Sequence, residues 1–177
     1  MVDLKIENVI ASTQFDFDLD LPKIAGEITD AEFDPDHFPG IIYKLKSPKT
    51  VTLMFSKGYT VCTGAKSIQN AKAALMIIIK KLNDKKLVEL ETIPKIDIQN
   101  VIVSYKYKNQ LNLEEIIKRM PVENIEYDPR KFPGIIFLDK TTDVTVLIFR
   151  SGVIVGHGTP HIIDLNDVLT KLENYYT

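Results

Sequence analysis

Apolar and polar positions change rhythm several times along the chain, and each rhythm predicts an element. In LKIENVIAS (Leu4–Ser12) the alternation has period two and predicts a strand. In LDLPKIAGEI the period lengthens: Leu21, Ile24, Ala25 and Ile28 fall at helical spacing behind Asp20 as N-cap and Pro22 in the first turn. GIIYKLK, TVTLMF and YTVCT then bring back β-branched and aromatic residues, separated by the turn signals SPKT and SKG. A long amphipathic helix follows, capped by Ser67, with Ile68, Ala71, Ala74, Leu75, Ile78, Ile79 and Leu82 on one face.

The same series then repeats. IENVIAS (Ile6–Ser12) returns as IQNVIVS (Ile98–Ser104), FDPDHFPGII (Phe33–Ile42) as YDPRKFPGII (Tyr127–Ile136), and TVTLMF (Thr50–Phe55) as VTVLIF (Val144–Phe149). In the second copy Asn112 caps the first helix, Glu115 stands at the capping-box position, and Leu113, Ile116, Ile117 and Met120 form the apolar stripe. The closing helix near DLNDVLTKLENYY is shorter, and VELETIPKIDIQN is the crossover. Duplication of one supersecondary unit is expected, with repeats at 1–92 and 93–177 packed as one pseudo-symmetric body. The order β-α-β-β-β-β-α, doubled, predicts an α+β fold: one antiparallel sheet with every helix on the same face.

Alternation assigns side chains to the two sheet faces. With Val9, Ala11, Met54, Cys62, Val101 and Ile148 directed at the helices, the uncovered face receives Asn8, Ile10, Leu53, Phe55, Val61 and Thr63, and from the second copy Asn100, Ile102, Leu147, Phe149, Val155 and His157. An open apolar face of this kind is an interaction surface. Two asparagines on an apolar floor, edged by Lys44, Lys46, Lys49, Lys57 and Lys66, suit the A·T minor groove, whose floor offers only acceptors and which apolar wedges can open.

Composition narrows the alternatives. A net charge of −2 and pI near 5.9 argue against coating nucleic acid through bulk charge, so DNA binding has to rest on local charge. No apolar run is long enough to span a membrane, the N-terminus does not read as a signal peptide, and the single Cys62 fits a reducing compartment; an intracellular protein is expected. His157 and His161 have i, i+4 spacing, but Gly158 and Pro160 intervene, so neither a metal nor another cofactor is expected. GHGTP lacks the spacing and lysine of a phosphate loop, and Cys62 has no nucleophile's neighbours. Asp16, Asp18, Asp20, Asp34 and Asp36 read as loop and turn residues rather than acid-base catalysts. No enzymatic activity is expected.

NVIAS, FPGII, TLMFSKG and VCTGAKS, followed by IQNVIVS, FPGII and VLIFRSG, together resemble the TATA-box-binding protein family over essentially the whole chain, in its archaeal form. The resemblance implies a curved, saddle-shaped sheet of ten antiparallel strands with four helices on its convex face. It implies a basal transcription factor that binds and kinks A/T-rich promoter DNA through the minor groove and recruits a B-type initiation factor and, through it, RNA polymerase. The DNA-intercalating pairs fall on Phe38 with Phe55 and Phe132 with Phe149. Asn8, Asn100 and Thr63 match the central polar contacts, and Ile10, Ile102, Leu53, Leu147, Val61 and Val155 the apolar floor. Lys44 and Lys66 match phosphate contacts, with Lys46, Lys49, Lys57, Lys140 and Arg150 as further candidates. Cytoplasmic localisation at an archaeal nucleoid is implied (nuclear if eukaryotic), with weak homodimers when DNA is absent.

The second copy departs from the family pattern away from basic charge: Leu138 stands for Lys44, Asp143 for Lys49, and HGTP for TGAK. Tyr59 and Val153 occupy positions where lysine is usual. The partner-factor stirrup, acidic in the family, here reads Asp128, Arg130, Lys131. Weaker and more asymmetric DNA binding is expected. The alternative is a divergent paralogue with weakened DNA binding that acts as a protein-interaction or regulatory scaffold in transcription.

Overall fold

A computed structural model describes residues 3–176. The chain divides into two compact units: one spans Asn8–Gln99, and the other runs from Asn100 onward together with the residues up to Glu7. Each holds the same series of elements in the same order, the first strand of each series crossing the boundary at its start.

In the first unit, β1 (Lys5–Gln14) leads to α1 (Leu21–Glu27), then to β2 (Ala31–Phe33), β3 (Gly40–Lys46), β4 (Lys49–Phe55) and β5 (Tyr59–Ala65), and closes with α2 (Ile68–Asp84). The spatial order is β2-β3-β4-β5-β1, antiparallel at each pairing. Helix starts are satisfied as the sequence predicts: Asp20 accepts from the Lys23 N–H, and Ser67 from the Asn70 N–H. The core gathers Phe15, Ile24, Ile41, Met54, Ile78 and Leu82 between the helices and one face of the strands. Burying such side chains contributes about 1.5–3 kcal/mol each. Ile68, expected on the buried stripe of α2, is only half-buried because it opens the helix.

The second unit repeats this with β6 (Ile96–Lys106), α3 (Leu113–Arg119), β7 (Ile125–Glu126), β8 (Gly134–Asp139), β9 (Val144–Phe149), β10 (Val153–Thr159) and α4 (Ile162–Leu172), in the spatial order β6-β10-β9-β8-β7. α4 has 11 residues against 17 in α2, as the shorter apolar pattern predicts. One local expectation fails. Asn112 does cap α3 by accepting from the Glu115 N–H, but the Glu115 carboxylate turns along the helix to Lys118 (2.7 Å) instead of completing a capping box. A lysine one turn away offers the exposed carboxylate a charged partner. Ile117 sits half-buried at the edge of its stripe.

Strand pleating gives each unit one covered and one uncovered face. Val9, Ala11, Met54 and Cys62 in the first unit, and Val101 and Ile148 in the second, are fully buried. Their alternates Asn8, Ile10, Leu53, Phe55, Val61 and Thr63, and Asn100, Ile102, Leu147, Phe149, Val155 and His157, are all half-buried. The predicted division of side chains holds at every one of these positions.

Candidate nucleic-acid interface

On each uncovered face two phenylalanines meet over a glycine. In the first unit Asp34 organises the turn: its carbonyl accepts from the His37 and Phe38 N–H groups, and its carboxylate from the Asp36 N–H. That turn delivers Phe38 against Phe55, with ring centroids 5.7 Å apart and planes at 59°. Gly40 pairs with Phe55 across the strands, and a Cβ there would lie 2.8 Å from the Met54 carbonyl oxygen and 3.0 Å from the Phe38 ring. In the second unit the Asp128 carbonyl accepts from the Lys131 and Phe132 N–H groups, Phe132 meets Phe149 at 5.6 Å and 57°, and a Cβ on Gly134 would lie 2.8 Å from the Ile148 carbonyl oxygen. All four rings are half-buried. Each therefore keeps part of its surface for a ligand, and the glycine in Phe-Pro-Gly is what lets the rings lie against the strand.

The asparagines are held by backbone. Gly64, at φ +91°, and Gly158, at φ +112°, adopt a left-handed conformation next to irregularities in the β1–β5 and β10–β6 pairings. Their N–H groups donate to Asn8 Oδ1 (2.7 Å) and Asn100 Oδ1 (3.0 Å). With Oδ1 occupied, each amide presents its NH2 as a donor. Asn8 Nδ2 also donates to Thr63 Oγ1 (3.0 Å). The same faces carry Ile10 and the cross-strand pair Leu53 and Val61 in the first unit, and Ile102 with the pair Leu147 and Val155 in the second.

The charged edges differ. Lys44, Lys49 and Lys66 line one open concavity of about 470 Å³ floored by Val51 and Thr63. Lys46 faces Lys49 across the β3–β4 hairpin. Lys44 pairs with Glu32 and Lys57 with Asp18, each at 2.7 Å between exposed groups. Such pairs are worth about 0–1 kcal/mol, so a phosphate can displace the carboxylate. In the second unit the equivalents of the three concavity lysines are Leu138, Asp143 and Pro160. Lys140 is exposed, whereas Arg150 Nη2 lies 2.6 Å from Glu114 Oε1, which also accepts from the Tyr127 hydroxyl. The backbone N–H at the helix start, then Tyr127 and Arg150, hold the Glu114 carboxyl below its ordinary value. At the stirrup Arg130 grips Asp128 with two hydrogen bonds (3.0 and 3.1 Å), which lowers the Asp128 carboxyl. The loop thus presents the Arg130–Asp128 pair beside the exposed Lys131.

Sequence reasoning missed one aromatic contact. The Tyr59 ring stacks on Phe55 (6.5 Å, 22°) and is 42% exposed, so the first unit carries three consecutive rings where the second has Val153. The signal was there in Phe55-Ser-Lys-Gly-Tyr59, since a tight turn at Gly58 returns the chain beside the phenylalanine. Cys62 is fully buried in β5, and burial pushes its thiol up. His157 lies in β10 whereas His161 precedes α4, and no metal-holding cluster occurs among the described residues. No described helix is long and apolar enough to cross a membrane.

An antiparallel two-repeat fold, with a phenylalanine pair and an anchored asparagine in each repeat, defines a class that comparison with known proteins makes specific. The family model described as "Transcription factor TFIID (or TATA-binding protein, TBP)" matches residues 3–85 and 95–174. The TATA-box-binding protein of Archaeoglobus fulgidus is 41% identical over 155 residues, covering 88% of this chain and 84% of that protein. That of Picrophilus torridus is 38% identical over 173 residues, covering 98% and 94%. The solved structure of Methanococcus jannaschii TBP superposes with a TM-score of 0.84 at 36% identity, covering 98% of this chain and 97% of that one. The chain belongs to the TATA-box-binding protein family, a family of DNA-binding transcription factors.

Proposed function

We propose that the protein binds A/T-rich promoter DNA through the minor groove and kinks it at two places, one for each repeat. The observation that carries this reading is the half-exposed phenylalanine pair on a glycine seat, occurring twice on uncovered faces that also present an amide donor. Apolar wedges unstack base steps, and a donor-lined face meets the acceptors of the A·T groove floor. Lys44, Lys46, Lys49, Lys57 and Lys66 neutralise phosphates on the first repeat, with Lys140 and Arg150 serving the second. The stirrup of Asp128, Arg130 and Lys131 recruits a B-type initiation factor, and RNA polymerase follows through that factor.

Energy transfer between dyes at the two ends of a short TATA duplex tests the reading. Efficiency should rise on addition of the protein, remain flat on a G/C-rich control, and stay flat for the Phe38→Ala, Phe132→Ala double variant. A TATA duplex that stays straight at low and moderate salt, with and without a B-type factor, would sink it. The loss of three lysines from the second repeat favours one competing reading, a scaffold that binds a partner factor while indifferent to DNA.

A further inference from the structure

Thr63 and His157 occupy the same position in the two repeats. Thr63 pairs with Val51 across β4–β5, and His157 with Thr145 across β9–β10. Each precedes the glycine whose N–H holds an asparagine Oδ1. Their hydrogen bonding differs. Thr63 Oγ1 is closed onto Asn8, accepting from Nδ2 at 3.0 Å with Oδ1 at 3.4 Å. No hydrogen bond joins Asn100 to His157, and neither imidazole nitrogen has a protein partner among the described residues. Around Asn8 the Thr63 hydroxyl is turned into the amide, which leaves its oxygen a single spare lone pair crowded by that amide. Next to the glycine that holds Asn100, an imidazole has two ring nitrogens with no protein partner, either of which serves as an acceptor when it carries no proton. In the minor groove a G·C pair differs from A·T by one group, the guanine N2 amino donor, and only an acceptor can receive it.

We propose that His157 is a specificity-determining residue: it lets the second repeat accept a G·C pair in its half of the element, whereas Thr63 and Asn8 hold the first repeat to A·T. This inference rests on the minor-groove reading above. An element for this protein is then asymmetric in composition as well as in phosphate contact, and it carries an orientation.

The test is a competition series on an A/T parent duplex, with single A·T-to-G·C replacements along the element and with paired replacements at mirror-related positions. Each affinity is expressed relative to the parent for the same variant. For the unaltered protein one single replacement should cost less than about twofold, because the duplex can bind with that pair under His157. Replacing both mirror positions should cost about tenfold, the ordinary discrimination at one base pair. His157→Thr should lose the single-replacement tolerance by about tenfold, His157→Gln should keep it through its side-chain carbonyl, and Thr63→His should recover binding to the doubly replaced duplex. Equal relative affinities for the unaltered protein and His157→Thr at every position would overturn the proposal. Failure to bind or bend the A/T parent would instead overturn the minor-groove reading, and the proposal with it.

Discussion

At the scale of single residues, the glycine of each Phe-Pro-Gly motif decides whether the aromatic pair can form. Since the Met54 carbonyl is fixed backbone, a methyl group at Gly40 cannot be relieved by rotating a side chain. Gly40→Ala should destabilise the fold by about 1–3 kcal/mol, the usual cost of overpacking, which urea unfolding would register. It should also blunt DNA bending by pushing Phe38 off its seat. Tyr59→Val, copying Val153, removes the third ring from the first repeat. Affinity for TATA duplex, measured by titration, should fall by about 1 kcal/mol, the low end of the range for one base–aromatic stacking contact. The four phenylalanines were legible from their repetition. The glycine N–H that anchors each asparagine was not, because a bond between positions 56 residues apart in one repeat and 58 in the other depends on how strands pair.

At the scale of elements, local signals carry measurable stability. Ser67 caps a helix of 17 residues, and Ser67→Ala should cost about 1 kcal/mol by leaving the Asn70 N–H without its acceptor. In the β8–β9 hairpin, Asp139 accepts from the Thr141 hydroxyl and from the Thr141 and Thr142 N–H groups, which hold its carboxyl below the ordinary 3.8. A depressed folded pKa means that the stabilisation is fully present above the ordinary value and is lost as pH falls through the folded one. Asp139→Asn should therefore be less stable than the parent at neutral pH, and the gap should close as pH falls below 3.8. Stability curves for both proteins across that range would decide it. Caps and long amphipathic stripes were readable because they depend on neighbours in sequence. The strands Ala31–Phe33 and Ile125–Glu126 are too short to show a period of two by themselves and exist because β3 and β8 offer them an edge.

At the scale of the molecule, a net charge of −2 conceals uneven edges. Lys44, Lys49 and Lys66 share one concavity, while Leu138, Asp143 and Pro160 hold the equivalent positions. Each neutralised phosphate contributes about 0.9 to the slope of log affinity against log salt. Replacing the three lysines with alanine should flatten the slope by nearly three. Leu138→Lys, at a side chain already 40% exposed, should steepen it by about one. Titrations at several salt concentrations would measure both.

The sequence by itself determined the duplication, the helices and their caps, the alternation that divides buried from open side chains, and the family. Each of these is written in local periodicity or in repetition. Tertiary structure decided how the polar groups of the open face are committed. Asn8 is closed onto Thr63, Asn100 takes its hydrogen bond from the Gly158 N–H while the adjacent His157 has none, and Arg150 turns to Glu114. Hydrogen bonds and ion pairs depend on distances of a few ångströms between residues far apart in the chain, and strand register sets those distances.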